Sequence, residues 1–120
     1  MAYFSAKKTE AALLLETHML ELGLNFFPEV KFLKTRKWRA DYLACKASRK
    51  KQPEMLIEIE GGGWVGGRHT RSKGFAADLE KYATATAMGY TVFRFSPKMI
   101  LTGQAKDFLA QWLSKSGKPR

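Results

Sequence analysis

The sequence predicts an α/β domain, a mixed central sheet flanked by helices, on three observations. Two stretches rich in good helix formers, Thr9–Leu22 and Lys73–Met88, each run into a glycine. Short β-prone runs fill the space between them and after the second. The chain has 120 residues, enough for one hydrophobic core and too few for two ordinary domains, so residues 1–120 are expected to form a single domain.

Each element has its own local reason. TEAALLLETHMLEL combines Ala, Leu, Glu and Met, with Gly23 as the stop, and Leu13, Leu14, Thr17 and Leu20 trace one stripe. Glu10 precedes Leu13 and Leu14 by three and four positions. This sets it at the edge of that stripe, pointing inward or nearly so, in a first turn that suits a carboxylate. NFFPE reads as a turn. Strand-like runs follow at VKFLK (residues 30–34), WRADYLACK (38–46) and EMLIEIE (54–60). The polar, basic KASRKKQP between the last two ends in proline and reads as their turn. In the second helix Phe75, Leu79, Tyr82 and Thr86 form a stripe, with Asp78 and Lys81 off it. YTVFRF (90–95) is the next strand, and a C-terminal helix spans roughly Gln104–Ser114 with Ala105, Phe108, Leu109 and Trp112 on one face. The basic residues 114–120 are expected to be a flexible tail.

Composition narrows the partners. Lysine and arginine number 21 against 11 aspartates and glutamates, a balance that favours a polyanion, most simply nucleic acid. No segment approaches the roughly 20 apolar residues of a membrane span, and MAYFSAKKTE has no apolar centre of a signal peptide, so a cytosolic protein with no membrane partner is expected. Cys45 is the single cysteine, and His18 and His69 are the two histidines. An internal disulfide and a Cys- or His-rich zinc site are thereby excluded, and any metal is expected to be a hard ion on carboxylates, such as Mg²⁺ or Mn²⁺.

The strand at 54–60 raises the functional question, because LIEIEGG places Glu58 and Glu60 inside and at the end of the most apolar run. If it pairs antiparallel with 38–46 about a turn centred between Arg49 and Lys50, Asp41 faces Glu58. Directly opposed like charges, with Cβ atoms about 5 Å apart, destabilise a sheet unless something neutralises them. A divalent cation would do so. Alternation along the strand puts Glu60 on the same face as Glu58, so three acids are expected to converge. The bland alternative is a set of solvated acids, each paired with a nearby lysine.

Asp41 in WRADYL, then Glu58 and Glu60 in LIEIEGG, within the order αβββαβ, resemble the PD-(D/E)XK nuclease superfamily, the restriction-endonuclease-like fold. WRADYL, LIEIEGGGWVGGRHTR, DLEKY and GYTVFRF are similar to small phage and bacterial nucleases of that superfamily, including VRR-type enzymes and archaeal-type Holliday junction resolvases. The likeness spans Glu10 to Phe95. It implies Mg²⁺-dependent hydrolysis of DNA phosphodiesters, with Mn²⁺ able to substitute. Asp41 and Glu58 would be metal ligands with the Ile59 carbonyl as a third, and Glu10 would support the site. Glu60 departs from the pattern, which most often has lysine there; it could accept the proton of the attacking water or bind a second ion.

Other residues keep two readings. Lys81 either supplies the positive charge missing from position 60 or is a solvated lysine paired with a neighbour such as Asp78. His69, after the flexible GGGWVGG, either protonates the leaving oxygen or holds a phosphate, or is a plain surface histidine. Trp64 stacks on a base or packs over the loop. Arg68, Arg71 and Lys73 are placed to grip phosphates. Lys34, Arg36, Lys37 and Arg39, with Lys31, Lys46, Arg49, Lys50 and Lys51, form a basic stripe expected to be a duplex-binding rim. A bare core suits DNA shape better than a long sequence. A homodimeric, junction-resolving endonuclease is therefore the leading expectation, ahead of a nicking or restriction-like phage nuclease and of a DNA-binding module that has lost its chemistry.

Overall fold

Helices on both faces of a four-stranded mixed sheet bury the two apolar surfaces that the strand sequences create. The computed structural model describes residues 8–47, 54–61 and 71–115, the side chains of 71–76 excepted. In chain order the elements are α1 (Glu10–Glu21), β1 (Leu24–Lys31), β2 (Arg39–Lys46), β3 (Met55–Ile59), α2 (Arg71–Ala87), β4 (Thr91–Phe95), α3 (Pro97–Leu101) and α4 (Gln104–Lys115). The sheet order is β1-β2-β3-β4, with antiparallel β1–β2 and β2–β3 pairs and a parallel β3–β4 pair joined across α2. The expected α/β class and mixed sheet are therefore present.

The hairpin register matches the sequence expectation: Tyr42 lies opposite Ile57, Leu43 opposite Leu56 and Ala44 opposite Met55. One more step brings Asp41 and Glu58 together. Alternation then divides the strands between two cores. Tyr42, Ala44, Met55, Ile57, Ile59 and Phe95 pack with α1, α3 and α4, whereas Leu43, Leu56 and Ala85 of α2 lie in a second cluster with Val92 and the Phe32–Trp38 loop. Asp41 and Glu58 alternate onto the second face, beneath α2.

Several local expectations need correction. In α1 the buried residues are Ala11, Ala12, Leu15 and Met19, while Leu13 and Leu20 are 53% and 63% exposed. Leucines ring this helix, so their number does not choose its face; the two alanines on the buried side let α1 approach its neighbours closely. Glu10 consequently points outward and is exposed. Thr9 caps the helix by accepting from Ala12 N–H at 3.2 Å, and Gly23, at φ 80°, stops it.

NFFPE is not a turn but the middle of β1. Proline is tolerated because β1 is an edge strand, where a missing N–H need not break a ladder. Glu29 follows with φ at 53°, and the register with β2 passes from Pro28–Tyr42 to Val30–Ala40, skipping the position opposite Asp41. In α2 the stripe is rotated from the expected one: Lys81 and Ala85 are buried, whereas Leu79 and Thr86 are exposed. The short α3, not among the expected elements, is capped by Ser96, which accepts from Met99 N–H at 3.1 Å, with Pro97 as its first residue. At the C-terminus α4 continues through Ser114 and Lys115, and the rest of the expected tail, 116–120, lies outside the described residues. Among the described residues no helix is long and apolar enough to cross a membrane.

Candidate active site

Asp41 and Glu58 sit where the β2–β3 ladder gives way to side-chain bonds. Past Tyr42 and Ile57, the Asp41 N–H donates to Glu58 Oε2 over 2.9 Å, and the Ile59 N–H donates to Asp41 Oδ2 over 2.8 Å. Each carboxylate thus accepts from the main chain of the opposite strand. This holds both acids in place and satisfies backbone donors that the sheet would otherwise leave unpaired. They are 1% and 6% exposed, in the company of apolar residues that give the pair a low dielectric.

The helix above completes the cluster. Lys81, 7% exposed, places Nζ 3.4 Å from Glu58 Oε2, and the Tyr82 hydroxyl donates to Glu58 Oε1 over 3.2 Å. Consecutive helix positions splay by about 100°. Lys81 and Tyr82 therefore reach the same carboxylate from different sides. Burial, and then the charge of Asp41, push the Glu58 carboxyl up to about 7, against the opposing pull of Lys81. Burial and the Glu58 charge raise the Tyr82 hydroxyl, which keeps its proton and remains a donor.

Glu60 does not join this pair as expected. It lies just past β3, exposed, where its Oε2 accepts from Arg94 Nε at 2.6 Å. The convergence is of two acids and a lysine. Glu10 is exposed on α1, which packs on the other face of the sheet from Asp41 and Glu58. Trp64, Arg68 and His69 lie outside the described residues, while Arg71 and Lys73 fall in the first turn of α2.

The basic rim is heterogeneous. Lys34, Lys37 and Arg39 are exposed, Arg39 with a 3.5 Å bond to the Glu29 carbonyl. Arg36 is committed elsewhere: its terminal nitrogens donate to both oxygens of Glu80 at 3.0 and 3.4 Å, and its guanidinium lies 3.7 Å from the Trp38 ring centroid. It fastens the β1–β2 loop to α2. Of the noncontiguous expected rim, Arg49, Lys50 and Lys51 lie outside the described residues.

Sequence reading missed Tyr82 and Arg94 as site residues. Tyr82 was legible only as part of an apolar stripe, and Arg94 as one cation of a strand. The parallel register makes Arg94 the lateral partner of Glu58, and Tyr82 reaches the same residue from α2 through its hydroxyl.

Among the described residues no group of three or more His, Cys, Asp or Glu side chains gathers to hold a metal. Two carboxylates are nonetheless an adequate protein share for Mg²⁺, which keeps several waters and takes further oxygens from a substrate phosphate. Asp41 and Glu58, adjacent and anchored, fit that mode. A closed metal cage is not what these residues build. Comparisons with protein-family models, with curated proteins and with solved structures returned no match.

Proposed function

We propose that this protein is a divalent-cation-dependent DNA endonuclease of the restriction-endonuclease-like class, selective for branched DNA such as a four-way junction. The observation that carries the proposal is the buried meeting of Asp41, Glu58 and Lys81 at the end of the β2–β3 ladder. Asp41 and Glu58 would hold Mg²⁺ or Mn²⁺, with the Ile59 carbonyl as the further ligand implied by the family resemblance. Bound there, the ion would make a water nucleophilic and neutralise charge growing on the phosphate.

The chain's own residues have separate tasks. Asp41 and Glu58 are pre-oriented by the N–H groups of Ile59 and Asp41 respectively, so little reorganisation accompanies binding. Lys81 brings an ammonium to 3.4 Å from Glu58 Oε2, supplying the positive charge which the family pattern places at position 60. Tyr82 fixes the second oxygen of Glu58 by its hydroxyl. The exposed lysines and Arg39, in a chain of formal net charge +10, favour a DNA backbone. Paired cuts across a symmetric junction require a homodimer.

The competing reading, a DNA-binding module without chemistry, draws on Glu60 at the lysine position. Incubating the protein with a labelled four-way junction, linear duplex and single strand, in Mg²⁺ or in EDTA, separates the two. Mg²⁺-dependent cutting, strongest on the junction, is expected. Asp41→Asn and Glu58→Gln should abolish it with binding retained, and Lys81→Met should slow it by about 100-fold or more. A junction bound but left whole in both conditions would establish the inactive module instead; preferential cutting of linear duplex would favour a nicking or restriction-like enzyme.

A further inference from the structure

Arg94 is a second cation of this region, and hydrolysis as set out above gives it no task. It is the lateral neighbour of Glu58 in the parallel β3–β4 pair, so both side chains leave the α2-facing side of the sheet. Two contacts fix it. Nε donates to Glu60 Oε2 at 2.6 Å, and the guanidinium carbon lies 4.6 Å from the centroid of Tyr82, the residue whose hydroxyl holds Glu58. A guanidinium has five N–H donors in a planar fork, and the bond to Glu60 uses Nε. Its terminal nitrogens belong to an exposed side chain beside the carboxylate pair.

We propose that Arg94 binds a DNA phosphate next to the one that is cut, and that Glu60 is a positioning residue acting through Arg94, neither a metal ligand nor the base. The inference rests on the nuclease proposal and deepens it. A planar fork suits two phosphate oxygens at once, which an ammonium cannot match. Tyr82 ties the two functions together: one end orients the acid and the ring face seats the guanidinium. Glu60 then has a task of its own where a lysine is usual: with Lys81 supplying the cation at the phosphate that is cut, Glu60 anchors Arg94 for the neighbouring one.

The test is fluorescence-anisotropy titration of a short labelled duplex in EDTA over a range of salt concentrations, using wild type, Arg94→Gln, Arg94→Lys, Glu60→Gln and the double variant. Arg94→Gln should weaken binding and lower the slope of log K against log salt by about 0.9, one phosphate contact. Arg94→Lys, which retains charge and stem, should restore the slope. Glu60→Gln should weaken binding severalfold alone and have no further effect in the Arg94→Gln background. Its Mn²⁺ affinity, followed by electron paramagnetic resonance, should stay within about twofold of wild type, below the tenfold that 1.4 kcal/mol represents. An unchanged slope in Arg94→Gln, additive effects of the two substitutions, or a tenfold loss of Mn²⁺ affinity in Glu60→Gln would overturn the inference. If that happens while wild type still cuts DNA, the nuclease proposal stands; a wild type that binds no DNA overturns both.

Discussion

Glu58 is the residue on which most of the physics converges. Its carboxyl is buried against Asp41 and held near 7, well above its ordinary value of 4.5. Between those values the folded protein keeps a proton that the unfolded chain has released. Stability without metal should therefore fall as pH rises through that window and level off above it. Denaturant titrations in EDTA at pH 5.5 and pH 8 should show the decline in wild type and a flatter profile in Glu58→Gln, and Mn²⁺ should restore wild type at pH 8. Stability rising across the same window would contradict the burial of a strained acid pair. The pairing of Asp41 with Glu58 was legible because a hairpin's turn sets its register. Lys81 was legible as one of two readings, the cation standing in for position 60 or a solvated lysine; its burial was not, since a charge on the buried side of a helix looks, in periodicity alone, like one on the solvent side.

At the scale of elements, the αβββαβ order and the C-terminal helix were legible, whereas α3, the extent of β1 and the facing of the helices were not. A helix ringed by leucines offers several apolar stripes, and the sheet and the C-terminal helices chose the one with Ala11, Ala12, Leu15 and Met19. Leu15→Ala should cost about 2–5 kcal/mol, whereas Leu20→Lys should change stability by less than about 0.5 kcal/mol. Equal losses by thermal or chemical denaturation would mean that α1 sits in another rotation. The β1 reading failed for a different reason: Phe-Phe-Pro signals a turn locally, yet an unpaired edge accommodates the proline. Arg94 and Tyr82 escaped notice because the β3–β4 register depends on the whole α2 crossover, for which no loop length in the sequence stands in.

For the whole molecule, the alternation of short strands with two amphipathic helices defined the class, and the charge balance pointed to a polyanion. Neither specifies chemistry. That comes from one juxtaposition, in which a sheet places two acids at the end of a ladder and a helix on the same face lowers an ammonium onto one of them. The same arrangement explains why an acid pair can be buried at all: each carboxylate receives a backbone donor, and Glu58 receives two side-chain partners as well. Anomalous diffraction from a crystal soaked in Mn²⁺ tests this most directly. A peak within about 2.3 Å of oxygens from both Asp41 and Glu58 is expected, given the lengths typical of hard cations on carboxylates. A soaked crystal with manganese bound elsewhere, and no peak between the oxygens of Asp41 and Glu58, would contradict it.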